Sequence, residues 1–285
     1  MIVMSLTGLW HTDPLYLGGK EAASVALMPD GTGWYELAGP RGADIRAFTW
    51  RQTPDDRLCL EYHHHVRIRD GKVDESRRAE DRWESAYRLE DTADRAGNNV
   101  TVLNLLERPL GVDELFALTS HTPGPLITVR DARPDDLRTL WTLASLPNVG
   151  ATGDPGRPIA LPEAAGPPEA FADIGDPASH IAFLVAEFQG RVVGCGGIRA
   201  AGPGAADGVE VRNIRVHPAT RRLGVGRAVM AALEKRARDV GYRFAHLDTA
   251  TNMPEAMAFY RRIGYEETHR RAFPKWTLVY YSKSL

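Results

Sequence analysis

Apolar positions along the chain follow two different rhythms. Up to about residue 120 the period is two. Leu58, Leu60, Tyr62, His64, Val66 and Ile68 fall on one face of an extended run, and Cys59, Glu61, His63, His65, Arg67 and Arg69 on the other, which is the alternation of a half-buried strand. Shorter runs of strand character occupy residues 8–12, 23–27, 33–37, 44–51, 82–90, 100–106 and 115–119. Pro29-Asp30-Gly31, Pro54-Asp55-Asp56, Asp70-Gly71 and Gly97-Asn98-Asn99 separate them with residues that favour turns. About eight strands with no helix between them predict an antiparallel barrel or sandwich.

His121-Thr122-Pro123-Gly124-Pro125 breaks this pattern, since two prolines and a glycine disfavour any regular element. Beyond it, strands alternate with helices. A strand at 126–130 leads into Arg133-Pro134-Asp135-Asp136, a proline and acids suited to a first helical turn, with Leu137, Leu140, Trp141 and Ala144 as the apolar face. Residues 147–180 hold seven prolines and five glycines and read as a long loop of the kind that often carries function, with a short helix around 168–174. A hairpin then pairs 181–187 with 191–198 across Gln189-Gly190. A strand at 209–216, a helix at 222–241, a strand at 244–249, a helix at 254–263 and strands at 265–269 and 275–282 complete the chain. The pattern predicts an α+β protein of two domains: an antiparallel β-barrel over 1–122 and a mixed α/β domain over 126–285.

Composition changes this picture little. Hydrophobic residues make up 43% of the chain, enough for two cores, and the formal net charge of −2 gives no basic excess for nucleic acid or an anionic membrane. No apolar stretch reaches membrane-spanning length, and Met1-Ile2-Val3-Met4 lacks the basic flank and length of a secretory signal. Cys59 and Cys195, each in a strand-like run, read as buried thiols in a reducing compartment. These features predict a soluble cytoplasmic protein. His63-His64-His65 invites a metal reading, but alternation sets His64 opposite the other two, so no metal centre is expected. Trp10, Trp34, Trp50, Trp83 and Tyr87 line either a ligand cavity or the core of the β domain.

Candidate chemistry concentrates in residues 209–227. A strand ends at Val216, His217-Pro218 turns the chain, and Arg221-Arg222-Leu223-Gly224-Val225-Gly226-Arg227 opens a helix. A helix start presents backbone N–H groups and the positive end of its dipole to an anion, and glycines permit close approach of a phosphate. No Gly-Lys-Ser/Thr follows, so this is not a Walker loop, and the spacing is not that of a dinucleotide fingerprint.

Arg221-x-x-Gly224-x-Gly226, set after Val216-x-Pro218 and followed by Asn252 and Phe259-Tyr260, resembles the cofactor motif of the GNAT superfamily of N-acetyltransferases. The resemblance covers residues 126–285 and implies the GNAT fold, acetyl-CoA as the acyl donor and no metal. It implies that the N–H groups of Arg222, Leu223, Gly224, Val225, Gly226 and Arg227 hold the CoA pyrophosphate, with Arg221 nearby. Ile214, Arg215 and Val216 would pair with the pantetheine arm as an added strand does, and Asn252 would contact that arm or cap the following helix. Glu210 matches the family's general base, its alternatives being a solvated strand residue or a salt-bridge partner. The N–H of Ile214 or Val216 would face the oxyanion, and Tyr260 would protonate the departing thiolate or merely pack. Gly8-Leu9-Trp10 resembles the Gly-x-Trp that opens lipocalin and other calycin barrels, which implies such a barrel for residues 5–120.

Together these readings predict transfer of an acetyl group from acetyl-CoA to a small-molecule amine, by direct attack, with the β domain selecting the acceptor. Alternatives are a peptide or protein acceptor, a longer acyl group, and an acyl-CoA- or apolar-ligand-binding regulator without turnover. A homodimer is compatible with the sequence.

Overall fold

The computed structural model describes residues 6–16, 21–70, 72–107, 115–145, 179–188, 190–202, 207–274 and 276–285. The short helix expected around 168–174 lies outside them. The chain forms two compact units, the first ending at Leu126 and the second beginning at Ile127.

The first unit is antiparallel β: β1 (Gly8–His11), β2 (Ala22–Leu27), β3 (Thr32–Gly39), β4 (Gly42–Gln52), β5 (Arg57–Arg69), β6 (Lys72–Arg78), β7 (Arg82–Ala93), β8 (Asn99–Leu105) and β9 (Leu115–Ser120). They make one nine-stranded sheet in the order β4-β3-β2-β1-β9-β8-β7-β5-β6, and β4 also pairs with β5. Its core gathers Trp10, Val25, Leu27, Tyr35, Phe48, Leu58, Leu60, Leu103 and Phe116, with Trp50, Trp83 and Tyr87 packed against it. The indole N–H of Trp10 donates to the Leu6 carbonyl at 3.0 Å, so this buried ring keeps its polar atom satisfied. Cys59 and Cys195 are buried free thiols.

Two features of this unit depart from the sequence pattern. Strand β6 was not anticipated, because its residues Lys-Val-Asp-Glu-Ser-Arg-Arg are polar on both faces; it pairs with the distal half of β5 at the sheet edge. The alternation along β5 is also interrupted. Ala47 pairs with His64 and Phe48 with Tyr62, leaving His63 as the extra residue of a β-bulge. A bulge re-aims the side chains that follow it, so His64 and His65 are both buried, 4% exposed each, instead of alternating. His64 Nε2 lies 2.9 Å from Ser76 Oγ and His65 Nε2 2.8 Å from Asp44 Oδ2. Each is anchored to a different partner.

The second unit has a seven-stranded sheet in the order β10-β11-β12-β13-β14-β16-β15. The strands are β10 (Thr128–Asp131), β11 (Ala182–Phe188), β12 (Arg191–Ala200), β13 (Gly208–Val216), β14 (Phe244–Ala250), β15 (Glu266–Ala272) and β16 (Thr277–Ser284). The helices are α1 (Leu137–Ser145), preceded by a 3-10 turn at Pro134–Asp136, α2 (Val225–Asp239) and α3 (Pro254–Arg262). Among the described residues only the β13–β14 pair is parallel. Helix α2 buries Val225, Val229, Met230, Leu233 and Ala237, about 1.5–3 kcal/mol for each large side chain fully removed from water. It lies close over β12 because that strand carries glycine there: a Cβ on Gly196 would meet Val229 Cγ1 at 3.0 Å and Leu233 Cδ1 at 3.1 Å. Leu140 and Leu143 of α1 pack with Val185, Val192 and Cys195.

Candidate active site

The site follows from how β13 and β14 separate. Their parallel register runs Gly208 with Phe244, Val209 with Ala245 and Glu210 with His246, and no register pair follows. Strand β13 continues to Val216, still paired on its other side with β12. Between Gly197–Arg212 and Cys195–Arg215 that antiparallel register slips by one residue, and Asn213 sits in the left-handed region at φ 55°. This bulge bends β13. A pocket of about 310 Å³ lies along the divergence, with Glu210, Arg212, Ile214, Arg215 and Val216 from β13, Asp248 from β14, and Tyr260 from α3 in its wall. Arg221 and Leu143 of α1 also line it.

Backbone groups of β13 are available to that space. The N–H of His217 donates to the Val193 carbonyl on β12 at 2.7 Å. Successive N–H groups of a strand point to opposite sides, so those of Val216 and Ile214 face away from β12, toward the gap.

The turn after Val216 sets the helix start. His217 is 4% exposed, and its Nδ1 accepts the N–H of Ala219 at 3.2 Å, capping the 3-10 turn Pro218–Thr220. Burial pushes the His217 pKa down to about 4, and the Arg221 charge adds to this. Arg222 and Gly224 follow at φ 70° and 86°, so the helix begins at Val225 and not at residue 222 as its apolar spacing suggested. Left-handed residues of this kind curl a loop into an anion-binding concavity. Leu223 and Val225 turn their side chains into the core, whereas Arg222 and Arg227 are exposed. No side chain caps α2 at Gly224, which leaves its first N–H groups for a ligand. Arg221 is half-buried, its pKa is lowered by burial, and its Nε has no hydrogen-bond partner. Uncapped amides beside a half-buried guanidinium whose Nε lacks a partner fit a diphosphate.

The two glycines have separate reasons. Gly224 needs its left-handed φ, and a Cβ there would meet nothing within 4 Å. Gly226 makes room for the Phe259 ring, whose Cζ would stand 3.3 Å from an added Cβ. Gly224→Ala should therefore act through the backbone alone, at about 1–2 kcal/mol for a left-handed alanine, and weaken acetyl-CoA binding roughly tenfold. Titration calorimetry checks this, and Gly224→Asn, which tolerates the left-handed region better, should recover part of the loss.

The remaining expected residues are less uniform. Tyr260 is buried, and burial pushes its pKa up to about 12, so the phenol is a proton donor at neutral pH. Asn252 is exposed in the turn before α3 and does not line the pocket. The N-cap of α3 is Met253, without a side-chain cap, so Asn252 does not cap that helix. Glu210 is a salt-bridge partner: its Oε2 accepts from Arg199 Nε at 2.8 Å. Sequence reasoning passed over Asp248, although it is the one carboxylate in Phe-Ala-His-Leu-Asp-Thr-Ala, the strand flanking the gap.

Residues 155–265 match the model of the Acetyltransferase (GNAT) family. Over this segment the chain is similar to that family. The chain is 29% identical over 117 residues to the uncharacterized N-acetyltransferase YjgM of Escherichia coli, covering 41% of this chain and 67% of that protein. It is 34% identical over 87 residues to the IAA acetyltransferase of Azospirillum brasilense, covering 30% of this chain and 56% of that one. Among solved structures, a phosphinothricin acetyltransferase of Sinorhizobium meliloti in complex with AcCoA matches at 23% identity and TM-score 0.43, over 56% of this chain and 89% of that one. GNAT acetyltransferases use acetyl-CoA. No group of three or more metal-ligating side chains occurs among the described residues, and no helix among them is long and apolar enough to cross a membrane.

Proposed function

We propose that this protein transfers the acetyl group of acetyl-CoA to a small-molecule amine. The observation that carries the reading is the polar pocket at the divergence of β13 and β14, adjoining an uncapped helix start. Acetyl-CoA supplies an activated acyl carbonyl. The first amides of α2 with Arg221 hold its diphosphate, the Val216 and Ile214 N–H groups orient its arm, and Tyr260 holds a proton for the leaving sulfur. The pocket, of about 310 Å³, lies within the range of small-molecule sites.

Free-thiol release with acetyl-CoA, measured against a panel of small amines and peptides and confirmed by product mass, tests this. Turnover is expected with a small amine. Turnover with peptides alone would move the assignment to a peptide acetyltransferase, and acetyl-CoA binding without thiol release from any acceptor would reject catalysis. Tyr260→Phe should keep acetyl-CoA affinity and lower kcat about tenfold, below the usual range for a general acid, because a thiolate leaves readily.

For residues 5–120 we infer a calycin-like barrel. The pairing of β4 with both β3 and β5 and the buried Trp10 of the Gly-x-Trp support it. A pocket of this unit is lined by Arg41, Arg67, Arg69, Asp44 and Asp70 along with Leu37 and Ile68.

A further inference from the structure

The acetyltransferase reading leaves open which group takes the proton of the acceptor amine, and the inference here rests on that reading. Two carboxylates reach the pocket, Glu210 from β13 and Asp248 from β14, and they differ in what already holds them. Glu210 Oε2 lies 2.8 Å from both Nε and Nη2 of Arg199, and Arg212 Nε stands 3.7 Å from Oε1. Charge-assisted bonds of this kind spend the lone pairs and charge that a base needs. Whereas its backbone pairs with Tyr280 on β16, the Asp248 carboxylate takes part in no side-chain hydrogen bond or ion pair among the described residues. It is solvent-accessible yet partly enclosed by the pocket wall it lines, two residues past the last position of β14 paired with β13, where those strands have parted.

We propose that Asp248 is the general base of this site, and that Glu210 is a positioning residue that fixes the end of β13 through Arg199. In the step, one N–H bond of the acceptor ammonium breaks and its proton goes to an Oδ of Asp248. The freed lone pair forms the C–N bond at the acyl carbon. The C–S bond breaks with its electron pair on sulfur, which takes the Tyr260 proton, and the tyrosine regains one from the new amide nitrogen. Asp248 then gives its proton to solvent, so ammonium and thioester become amide, thiol and one proton.

The surroundings suit that role. Glu210 and Arg212 face Asp248 from β13, Tyr260 from α3, and Tyr280 is its cross-strand neighbour on β16. Burial raises the Asp248 carboxyl above its ordinary range, the Glu210 charge raises it further, and Arg212 opposes both. A carboxylate of raised basicity sits closer to an amine, which makes proton transfer more favourable.

Asp248→Asn and Glu210→Gln in the full chain test the assignment, with the acceptor that gives the fastest turnover in the amine panel. Asp248→Asn is expected to lower kcat by roughly 10²–10⁴-fold at pH 7 with acetyl-CoA affinity unchanged by calorimetry. Its deficit should shrink as the pH approaches the amine pKa, and Asp248→Glu should restore part of the rate. Glu210→Gln is expected to cost less than about tenfold. A readout independent of turnover is the carboxyl carbon resonance of Asp248 in the protein without acetyl-CoA. It should titrate above an ordinary aspartate and move down in Glu210→Gln. Asp248→Asn with near-parental kcat, a larger loss in Glu210→Gln, or an Asp248 titrating at or below the ordinary value would overturn the assignment alone. No thiol release by the parent with any acceptor would overturn the acetyltransferase reading and this inference with it.

Discussion

Acidification from pH 7 to pH 4 is expected to destabilise the second unit by about 3 kcal/mol through His217 alone and to weaken acetyl-CoA binding in the same range. The imidazole is buried and neutral, with its pKa pushed down to about 4 by burial and by Arg221. In the unfolded chain it titrates near 6.5. Between those values the unfolded chain binds more protons than the folded one, so stability rises with pH. The contribution is complete above the unfolded value and is lost as pH falls through the folded one. Protonation also turns Nδ1 from acceptor to donor, which removes the cap on Ala219, two residues before the loop that starts at Arg221. Local loosening there should precede global unfolding. The comparison variant is His217→Asn, whose Oδ1 accepts at the same N-cap position without titrating. Urea unfolding of both proteins between pH 4 and pH 7, read by the helical dichroism signal, isolates the effect. That signal reports the second unit, because the α-helices among the described residues all lie there. Equal pH slopes for parent and variant would remove His217 from this account.

The same turn shows what the linear pattern carried and what it did not. The turn at Pro218 and the helix start after Gly224 were readable because they need particular backbone conformations, and those restrict residue type locally. Tyr260 was readable from its place after Phe259. The partner of Glu210 was not, since Arg199 is eleven residues away on the neighbouring strand and its bond depends on the β12–β13 register. Asp248 was hidden for a related reason. Its importance comes from where β13 and β14 part, and strand divergence is a property of pairing, which no single segment records. In the first unit, the alternation of β5 marked its buried face correctly up to Tyr62. It failed past His63 because a bulge adds one residue without changing composition. Strand β6 is held by pairing with β5 and has no apolar face of its own to announce it.

Arg130→Met should lower the stability of the second unit by about 3 kcal/mol, toward the lower end for breaking a buried ion pair. Arg130 on β10 joins three segments. Its Nη1 and Nη2 bind the two oxygens of Asp136 at 2.7 and 2.9 Å, and its Nε and Nη2 bind Glu187 Oε1 on β11 at 2.9 and 2.7 Å. Asp136 is 7% exposed and keeps only the Arg133 N–H, at 2.7 Å, once the guanidinium is gone. The loss thus comes mainly from a carboxylate left buried without its counter-charge, moderated because the Arg130 side chain is 23% exposed. Lysine is a point charge that cannot span both acids with a planar fork, so Arg130→Lys should recover part of the stability and not all of it. The pH dependence supplies a second check. Arg130 holds the Asp136 carboxyl below its ordinary range, so its stabilising contribution is present above the unfolded aspartate pKa and fades as pH falls. Parent and Arg130→Met should converge in acid when compared by urea midpoint. The effect reaches the site as well: Asp136 ends the turn that leads into α1, and Leu143 of α1 lines the pocket beside Glu210 and Tyr260. A loosened α1 should raise the acceptor KM more than it lowers kcat, whereas an unchanged urea midpoint would show that the three charges contribute little to the fold.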